Sequence, residues 1–341
     1  MPREPRRSKR DAGCAAVMTR LEPQTDAKDA NNMNYKIIVN PISGRGEGEQ
    51  SIPHIEQLLQ GHGLTYDLVR TERPWHAADL AQQAATSGYG VVVAAGGDGT
   101  ANEVLNGLMR AKAAGVEHLP AMGILAVGRG NDFAFSMGAP ENLEEGCRLL
   151  AEGRTHKVDV GRVAGGLYPQ GRYFGNGAGI GFDAVVGFEA LKLTWLHGFP
   201  SYIVAALKTI FLYFRAPVVR IEYDGQTLTR ACLMVSVMNG RRLGGGFMMA
   251  PEGRTDDGLF DVCIAAQVSR ARVFALLPRF MKGTQAGHPA IQFVRARNLT
   301  VTAVEGVLPA HTDGETLCTD GKQLVLELLP QQIEFVSRSA Q

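Results

Sequence analysis

The chain has little of what marks secreted, metal-stapled or nucleic-acid-binding proteins. Its five cysteines, Cys14, Cys147, Cys232, Cys263 and Cys318, are odd in number, scattered, and without metal-ligand spacing. That excludes a disulfide framework and points to reduced thiols in a cytosolic compartment. Aromatic residues are only 7% and the net charge is +1, so neither a base-stacking surface nor a strong basic field points to nucleic acid. The basic N-terminus is not followed by an apolar stretch of signal-peptide length. The longest apolar region, Phe199–Phe214, is interrupted by Pro200, Ser201, Lys208 and Thr209 and is too short to span a bilayer. Any meeting with a membrane is then from its surface. The histidines show no triad or zinc spacing and read as structural or surface residues. There is no internal repeat. Low complexity is confined to residues 1–33, which lack apolar periodicity and read as a disordered tail. Met33, just before the first strand signal, is the expected translation start.

What is present is an ordinary globular composition, 45% hydrophobic and 20% charged, long enough for two cores. The most informative stretch is Val91–Leu108, VVVAAGGDGTANEVLNGL. Val and Ala bounded by Gly predict a buried strand. Thr100 followed by Glu103 matches a capping box and predicts a helix start. Strand, glycine turn and helix N-terminus together bind phosphate: backbone N–H groups point outward, the helix dipole adds positive potential, and glycine lets the anion approach. Asp98 stands inside that turn. A carboxylate beside a phosphate is repulsive unless a cation lies between them or it handles a proton. Asp98 is therefore the first candidate for chemistry; the alternative is an aspartate that only fixes the turn.

The first half alternates strands with helices. Strands are predicted at Tyr35–Val39, Tyr66–Arg70, Val91–Gly96 and Leu119–Ala126, and helices at Ile52–Gln60 and His76–Thr86. Alternation implies a parallel sheet, whose ligands lie beyond the carboxyl ends of the strands. Four features fall at those ends: Asn40–Gly46, Thr71, Gly96–Thr100 and Gly128–Asp132. Their convergence suits a nucleotide. From Val158 the texture changes to successive strands joined by turns, at Val158–Val163, Tyr173–Ala178, Val218–Tyr223, Gln226–Val237, Leu259–Ala265 and Ala290–Ala303. These predict an antiparallel sandwich or barrel, interrupted by helices near Ala184–Trp195 and Ser201–Phe214. Further strands are predicted at Leu324–Leu328 and Ile333–Val336.

NPISGRG at 40–46, GGDGTANEVLNGL at 96–108, GRGNDFA at 128–134, GGGFMMAPEGRTDDGLFDV at 244–262 and TDGE at 312–315 follow one another as in the diacylglycerol kinase catalytic-domain family, which the chain resembles from Tyr35 to about Val336. GGDGT alone is shared with NAD kinases and phosphofructokinase-like proteins; the combination is specific. The resemblance implies α/β plus β in two domains. A nucleotide domain of the NAD kinase/phosphofructokinase-like kind would span 34–157 and 320–338, and a β-sandwich lipid domain 158–319.

The resemblance also implies roles. ATP phosphates would rest on Gly96, Gly97, Asp98, Gly99 and Thr100, with Asn40, Ser43, Gly44 and Thr71 alongside and Asn102 and Glu103 completing the motif. For Asn102 and Glu103 the alternative is helix capping. In the third loop Arg129 replaces the usual threonine; it would reach a phosphate or an acidic neighbour, while Asn131 and Asp132 orient nucleotide or metal. Glu315 would be the general base, with Asp313 and Asp98 around a Mg²⁺–phosphate cluster. Sphingosine kinases give the base role to the aspartate at the Asp98 position, and a DG pair is also a common hairpin turn. Arg254, Asp257 and Leu259 resemble a structural Mg²⁺ loop, the alternative being an acidic surface turn. Ile203, Leu207, Ile210, Phe211 and Phe214 have helical spacing, for a core or an acyl-chain wall, and Gly244–Met249 would border the lipid mouth. The expected protein is an ATP- and Mg²⁺-dependent cytoplasmic lipid kinase, peripheral to the inner face of the membrane and possibly homodimeric, without a nucleic-acid partner. Diacylglycerol is the first acceptor; phosphatidylglycerol, a sphingoid base or ceramide are alternatives. A soluble NAD kinase-like enzyme and a non-catalytic lipid-binding protein are the rival functions.

Overall fold

A computed structural model describes residues 33–338 except 129, 194, 197–198 and 213–215. The expected tail, residues 1–32, and Arg129 lie outside the described residues.

The first lobe is a parallel sheet of β1 (Asn34–Val39), β2 (Thr65–Arg70), β3 (Val91–Gly96) and β4 (Ala121–Ala126), in the spatial order β2-β1-β3-β4. Strand β3, VVVAAG, is buried along its whole length, as a strand covered on both faces must be. Val91, Val93 and Ala95 pack under α1 (Glu47–Gly61) and α5 (Leu143–Glu152). Val92 and Ala94 pack under α2 (His76–Thr86) and α3 (Asp98–Ala113). Alternate side chains of one strand thus feed two cores. A short helix, α4 (Asp132–Ser136), follows β4.

The second lobe contains β5 (Thr155–Gly165), β6 (Tyr168–Phe174), β7 (Gly177–Gly181), α6 (Phe182–Leu191), α7 (Phe199–Leu212), β8 (Val218–Tyr223), β9 (Gln226–Met238), β10 (Arg242–Leu243), β11 (Phe247–Met248), β12 (Phe260–Ala266), α8 (Arg270–Lys282), β13 (Ile291–Ala296), β14 (Asn298–Glu305), β15 (Leu308–Thr312), β16 (Glu315–Gly321) and β17 (Gln323–Val336). One layer is β6-β5-β17-β14-β8, the other β16-β15-β7 with β12 and β13, and β9 runs through both. Phe174, Ile221, Val235, Val262, Val301 and Leu326 fill the space between them. The outer face of the second layer carries Met234, Met238 and Cys263, covered by α6, α7 and α8.

Two strand expectations change. Ala290–Ala303 is not one strand. Strand β13 pairs with β12 in one layer and β14 with β8 and β17 in the other. The crossing occurs at Arg297, where the Asp224 carboxylate accepts from the N–H groups of Arg297 (3.2 Å) and Asn298 (3.4 Å). Conversely, Leu324–Leu328 and Ile333–Val336 belong to one strand, β17, whose register shifts between Leu329 and Ile333. Asp159 holds that irregularity by accepting from Gln331 N at 2.8 Å. The strand starts between β14 and β5 and ends beside β4, where Phe335 faces Met122 in parallel register.

Candidate active site

The glycine loops meet at the carboxyl edge of the parallel sheet. Asn40 follows β1 and donates from Nδ2 to Thr100 Oγ1 at 3.1 Å. Ser43 Oγ donates to Val127 O at 2.5 Å, tying the first loop to the end of β4. Gly44 (φ 61) and Gly46 (φ 96) turn that loop in the left-handed region. Thr71 closes β2, its N–H bonded to Val39 O at 2.8 Å. The second and third loops touch backbone to backbone: a Cβ on Gly128 would lie 2.5 Å from Gly97 Cα. Between them begins α3, 16 residues long, whose free N–H groups can receive an anion such as a phosphate. Asn131, at φ 51, donates to Gly128 O at 3.1 Å. Its Oδ1 is buried and has no partner among the described residues. An orphaned acceptor in this position suits a bound nucleotide or its cation.

The capping-box reading of Thr100 and Glu103 does not hold. Helix α3 starts at Asp98 with Gly97 as its cap, so Thr100 is already inside it. Glu103 reaches the neighbouring helix instead, accepting from Trp75 N (2.8 Å) and Ala77 N (3.2 Å) at the start of α2. Asn102, fully buried, turns away from the phosphate loops. It donates to Asp313 Oδ2 at 2.8 Å and Tyr173 O at 3.0 Å, and accepts from Arg172 Nη2 at 2.7 Å. Both residues of the motif therefore hold elements together.

Asp313-Gly314 is a hairpin turn joining β15 and β16, with φ 45 and 84 as a two-residue turn of this hand requires. It does more than turn. Asp313 Oδ2 accepts from Gly175 N (2.9 Å) and Asn102, and Oδ1 from Asn176 N (3.2 Å) and Gly177 N (3.0 Å). With both oxygens engaged, Asp313 positions the hairpin, in place of the expected membership of a metal cluster. The hairpin brings Glu315 over the start of α3, so that a Cβ on Gly99 would lie 3.3 Å from Glu315 Oε1.

Asp98 accepts from Phe133 N at 2.8 Å, at the start of α4. Burial first, then the charge of Asp132, raises its pKa to about 7. Asp132 is also pushed up by burial, opposed by Gly245 N–H and Arg242. Arg242 Nε donates to Asp132 Oδ1 at 2.7 Å, and Gly245 N donates to its Oδ2 at 2.7 Å. The Arg242 guanidinium also lies 4.0 Å from the Phe135 ring centroid. Asp132 thereby clamps β10 to the third loop. Sequence reasoning missed Arg242; its only signal was a basic pair beside glycines in NGRRLGGG.

From Asp98, Asp132 and Asp313 a pocket enclosing about 1180 Å³, open mouth included, runs between α6, α7 and α8. Phe182, Val186, Tyr202, Ala206, Met234, Phe247, Leu276 and Phe280 make most of its wall apolar. Gly244 and Met249 also line it. On α7 the wall is formed by Tyr202 and Ala206, Ile210 is core, and Leu207 and Phe211 face outward; Phe214 lies outside the described residues. Asp183 and His311 interrupt the apolar lining. Asp183 was visible as a lone acid in the apolar run GIGFDAVV.

None of Arg254, Asp257 and Leu259 lines this pocket. Asp257 pairs with Arg295 and accepts from Leu259 N at 3.2 Å, while Asp256 takes Arg254 Nε at 3.0 Å. Among the described residues no three His, Cys, Asp or Glu side chains are grouped to hold a metal. Both carboxylates of the loop are thus paired with arginines that are themselves about half exposed.

A glycine-built phosphate cradle facing carboxylates across a cleft defines a phosphotransferase with an alcohol acceptor. Residues 34–163 match the diacylglycerol kinase catalytic domain, and residues 176–337 match the YegS C-terminal NAD kinase beta sandwich-like domain. The chain belongs to the diacylglycerol kinase catalytic-domain family and is an ATP-dependent kinase acting on an alcohol group. It is 27% identical to the diacylglycerol kinase of Staphylococcus carnosus (strain TM300) over 283 residues, 82% of this chain and 88% of that one. It is 28% identical to the diacylglycerol kinase of Bacillus subtilis (strain 168) over 282 residues, 82% and 89% of the two chains. A solved structure from Bacillus anthracis str. Sterne shares 26% identity and a TM-score of 0.74, covering 90% of this chain and 95% of that one.

Proposed function

We propose that the chain is a lipid kinase working at the inner face of the membrane, transferring the γ-phosphate of Mg²⁺-ATP to the primary hydroxyl of diacylglycerol to give phosphatidic acid. The reading is carried by one observation: the apolar pocket between α6, α7 and α8 ends on Asp98, beside the phosphate loops. An alkyl-chain molecule filling that pocket presents its headgroup hydroxyl to the phosphate.

The γ-phosphate is placed against the α3 N-terminus, with Gly97 and Gly99 allowing close approach. As the acceptor oxygen bonds to phosphorus and the bond to the bridging oxygen of ADP breaks, the hydroxyl proton passes to Asp98. A pKa near 7 suits a base at neutral pH. This assignment exchanges the expected roles, because Asp98 lines the acceptor pocket whereas Glu315 lies against Gly99 on the phosphate side. When bound, Mg²⁺ would neutralise phosphate charge, and Glu315 and Asn131 Oδ1 would be the oxygen groups available to hold it at that end.

No helix among the described residues is long and apolar enough to cross a membrane. The outer surface of the pocket helices suits a lipid interface. Leu191 and Phe211 are 70% and 62% exposed, and α8 carries Arg270, Arg272, Arg279 and Lys282 without an acidic residue.

Labelled ATP and mixed micelles test the reading. The wild type should label diacylglycerol. Asp98→Asn should lower kcat by about 10²–10⁴-fold with ATP binding retained, and Glu315→Gln should act through nucleotide-dependent steps. Phosphorylation of ceramide, a sphingoid base or phosphatidylglycerol instead would change the acceptor. Phosphorylation of NAD but no lipid would overturn the lipid reading, and a chain that binds lipid without transfer would be a binding protein.

A further inference from the structure

A second pocket lies between the start of α2, the middle of α3 and β6. It encloses about 570 Å³, open mouth included, and Trp75, Asn106, Arg110, Tyr168, Arg172 and Tyr173 form most of its wall. It shares no lining residue with the glycine loops or with the apolar pocket. Asn106 and Arg110 are roughly 10 and 16 Å along α3 from Gly99, well away from the phosphate loops.

Arg172 is 3% exposed, yet no carboxylate pairs with it among the described residues. Its Nε and Nη2 donate to Asn102 Oδ1 at 3.2 and 2.7 Å, and its Nη1 donates to the Tyr168 hydroxyl at 2.7 Å. Glu103 is near enough to feel this charge, but its oxygens accept from Trp75 N and Ala77 N. A buried cation without a counter-ion is costly and leaves a positive field in the open space beside it. Arg110 adds to that field. The guanidinium carbons of Arg110 and Arg172 lie 4.9 and 4.7 Å from the centre of the Trp75 ring, hence within about 10 Å of each other. Asp79 is only loosely paired with the half-exposed Arg110, at 3.6 Å, and is held more closely by Arg73, at 2.6 Å.

The rest of the wall offers donors. The Tyr168 hydroxyl accepts from Arg172, so its own proton is left to give. The Trp75 indole is a donor only. Asn106 Oδ1 is an acceptor, and it is taken by Tyr173 N at 3.0 Å. No aspartate or glutamate lines the pocket. Trp75 has φ 65, a strained backbone for a bulky residue, and Glu103 fixes it there through the Trp75 N–H.

We propose that this pocket is a second anion site, which binds a phosphate group through Arg110 and the Tyr168 hydroxyl, with Arg172 supplying the field behind them. A guanidinium and a hydroxyl around one space suit the several acceptor oxygens and the charge of a phosphate. The site is independent of which alcohol the kinase phosphorylates. Its ligand is either free phosphate or the phosphate monoester headgroup of a phosphatidic acid. An occupant bears on the kinase centre, because Arg172 holds Asn102 and Asn102 holds Asp313 at the root of the Glu315 hairpin.

The chain has two tryptophans, Trp75 and the 72% exposed Trp195. In full-length Trp195→Phe, fluorescence therefore reports on Trp75. Without nucleotide, sodium phosphate should give a saturable change that sodium chloride at equal ionic strength does not. Arg110→Gln and Tyr168→Phe, each added to that background, should raise the apparent Kd by about tenfold or more, as expected for a hydrogen bond to a charged group. Both side chains are partly exposed, and Arg172 is left intact because it holds Asn102. Vesicles of phosphatidylcholine, with and without phosphatidic acid, separate the sources. A response to phosphate shows that the free anion suffices, and a response to phosphatidic acid alone assigns the headgroup. No saturable response to either, an equal response to chloride, or unchanged affinity in both variants overturns the proposal. So does adenosine, if it gives the same change and displaces phosphate, since the pocket would then hold a nucleobase.

Discussion

Asp183 keeps a carboxylate among the apolar side chains of the pocket, 8% exposed, with burial raising its pKa to about 6. Its unfolded value is near 3.9. Between about pH 4 and pH 6 the folded protein therefore holds a proton that the unfolded chain releases, so this group costs stability as pH rises through the window. Asp183→Asn keeps an acceptor for Ala184 N–H and a partner for Ser236 but carries no charge. Its stability relative to wild type should climb from pH 4 to pH 6 and then level off, by up to about 3 kcal/mol. Urea unfolding of both proteins at pH 4.5 and pH 7.5 measures this, and a pH-independent difference would refute it. His311, whose pKa burial lowers to about 4, titrates with the opposite slope, and taking the difference from wild type removes it. At this scale the sequence showed best those residues whose role follows from the local backbone. Asn40, Ser43 and Asp98 sit at strand ends and come together where alternation places them. Asn102 and Glu103 were misjudged, because their partners lie on β6 and α2. Nothing within a few residues of each one specifies those partners.

Helices α2 and α3 approach so closely that their contact is made of alanine and glycine. Ala78 and Ala81 of α2 face Gly107 of α3, where a Cβ would overlap Ala78 O and come within 2.8 Å of Ala81 Cβ. Glycine to alanine inside a helix ordinarily stabilises by about 1 kcal/mol. Here the obstructing atom is backbone, which cannot swing aside, so the sign reverses. Gly107→Ala should destabilise by about 1–3 kcal/mol, read as a lower melting temperature. An unchanged or higher one would show that the helices separate freely. The kinds and order of elements were legible because periodicity is local: the buried VVVAAG strand and the β8–β9 turn at Asp224-Gly225 are examples. The crossing at Arg297 was hidden, because two strands joined by one residue give a single apolar run. Leu324–Leu328 and Ile333–Val336 were read as two strands where β17 only shifts register. Asp159 makes that shift possible from 172 positions away.

At the scale of the molecule, the two lobes share strands. Strand β5 leaves α5 of the first lobe and pairs with β17 from Thr155–Val336 at one end to Ala164–Val325 at the other. Strand β17 then enters the parallel sheet beside β4, and the expected boundary at residue 158 falls inside β5. Asn102, Asp313 and the Asp132–Arg242 pair add polar ties across the cleft. Two lobes joined only by a linker would melt separately. Melting the first lobe here requires stripping β17 from β4, which disturbs the pairing of the same strand with β5 and removes cover from the second lobe. Calorimetry should show one transition, with van't Hoff and calorimetric enthalpies equal. On the proposed placement of ATP at the loops of the first lobe, the nucleotide should raise the midpoint of that whole transition. Hydrogen exchange gives the sharper reading. At saturating ATP, amides of β9 in the second lobe should gain the same protection free energy as those of β3. Gains confined to β3, or two resolved heat-capacity peaks, would mean that the shared strands do not couple the nucleotide lobe to the lobe that holds the pocket.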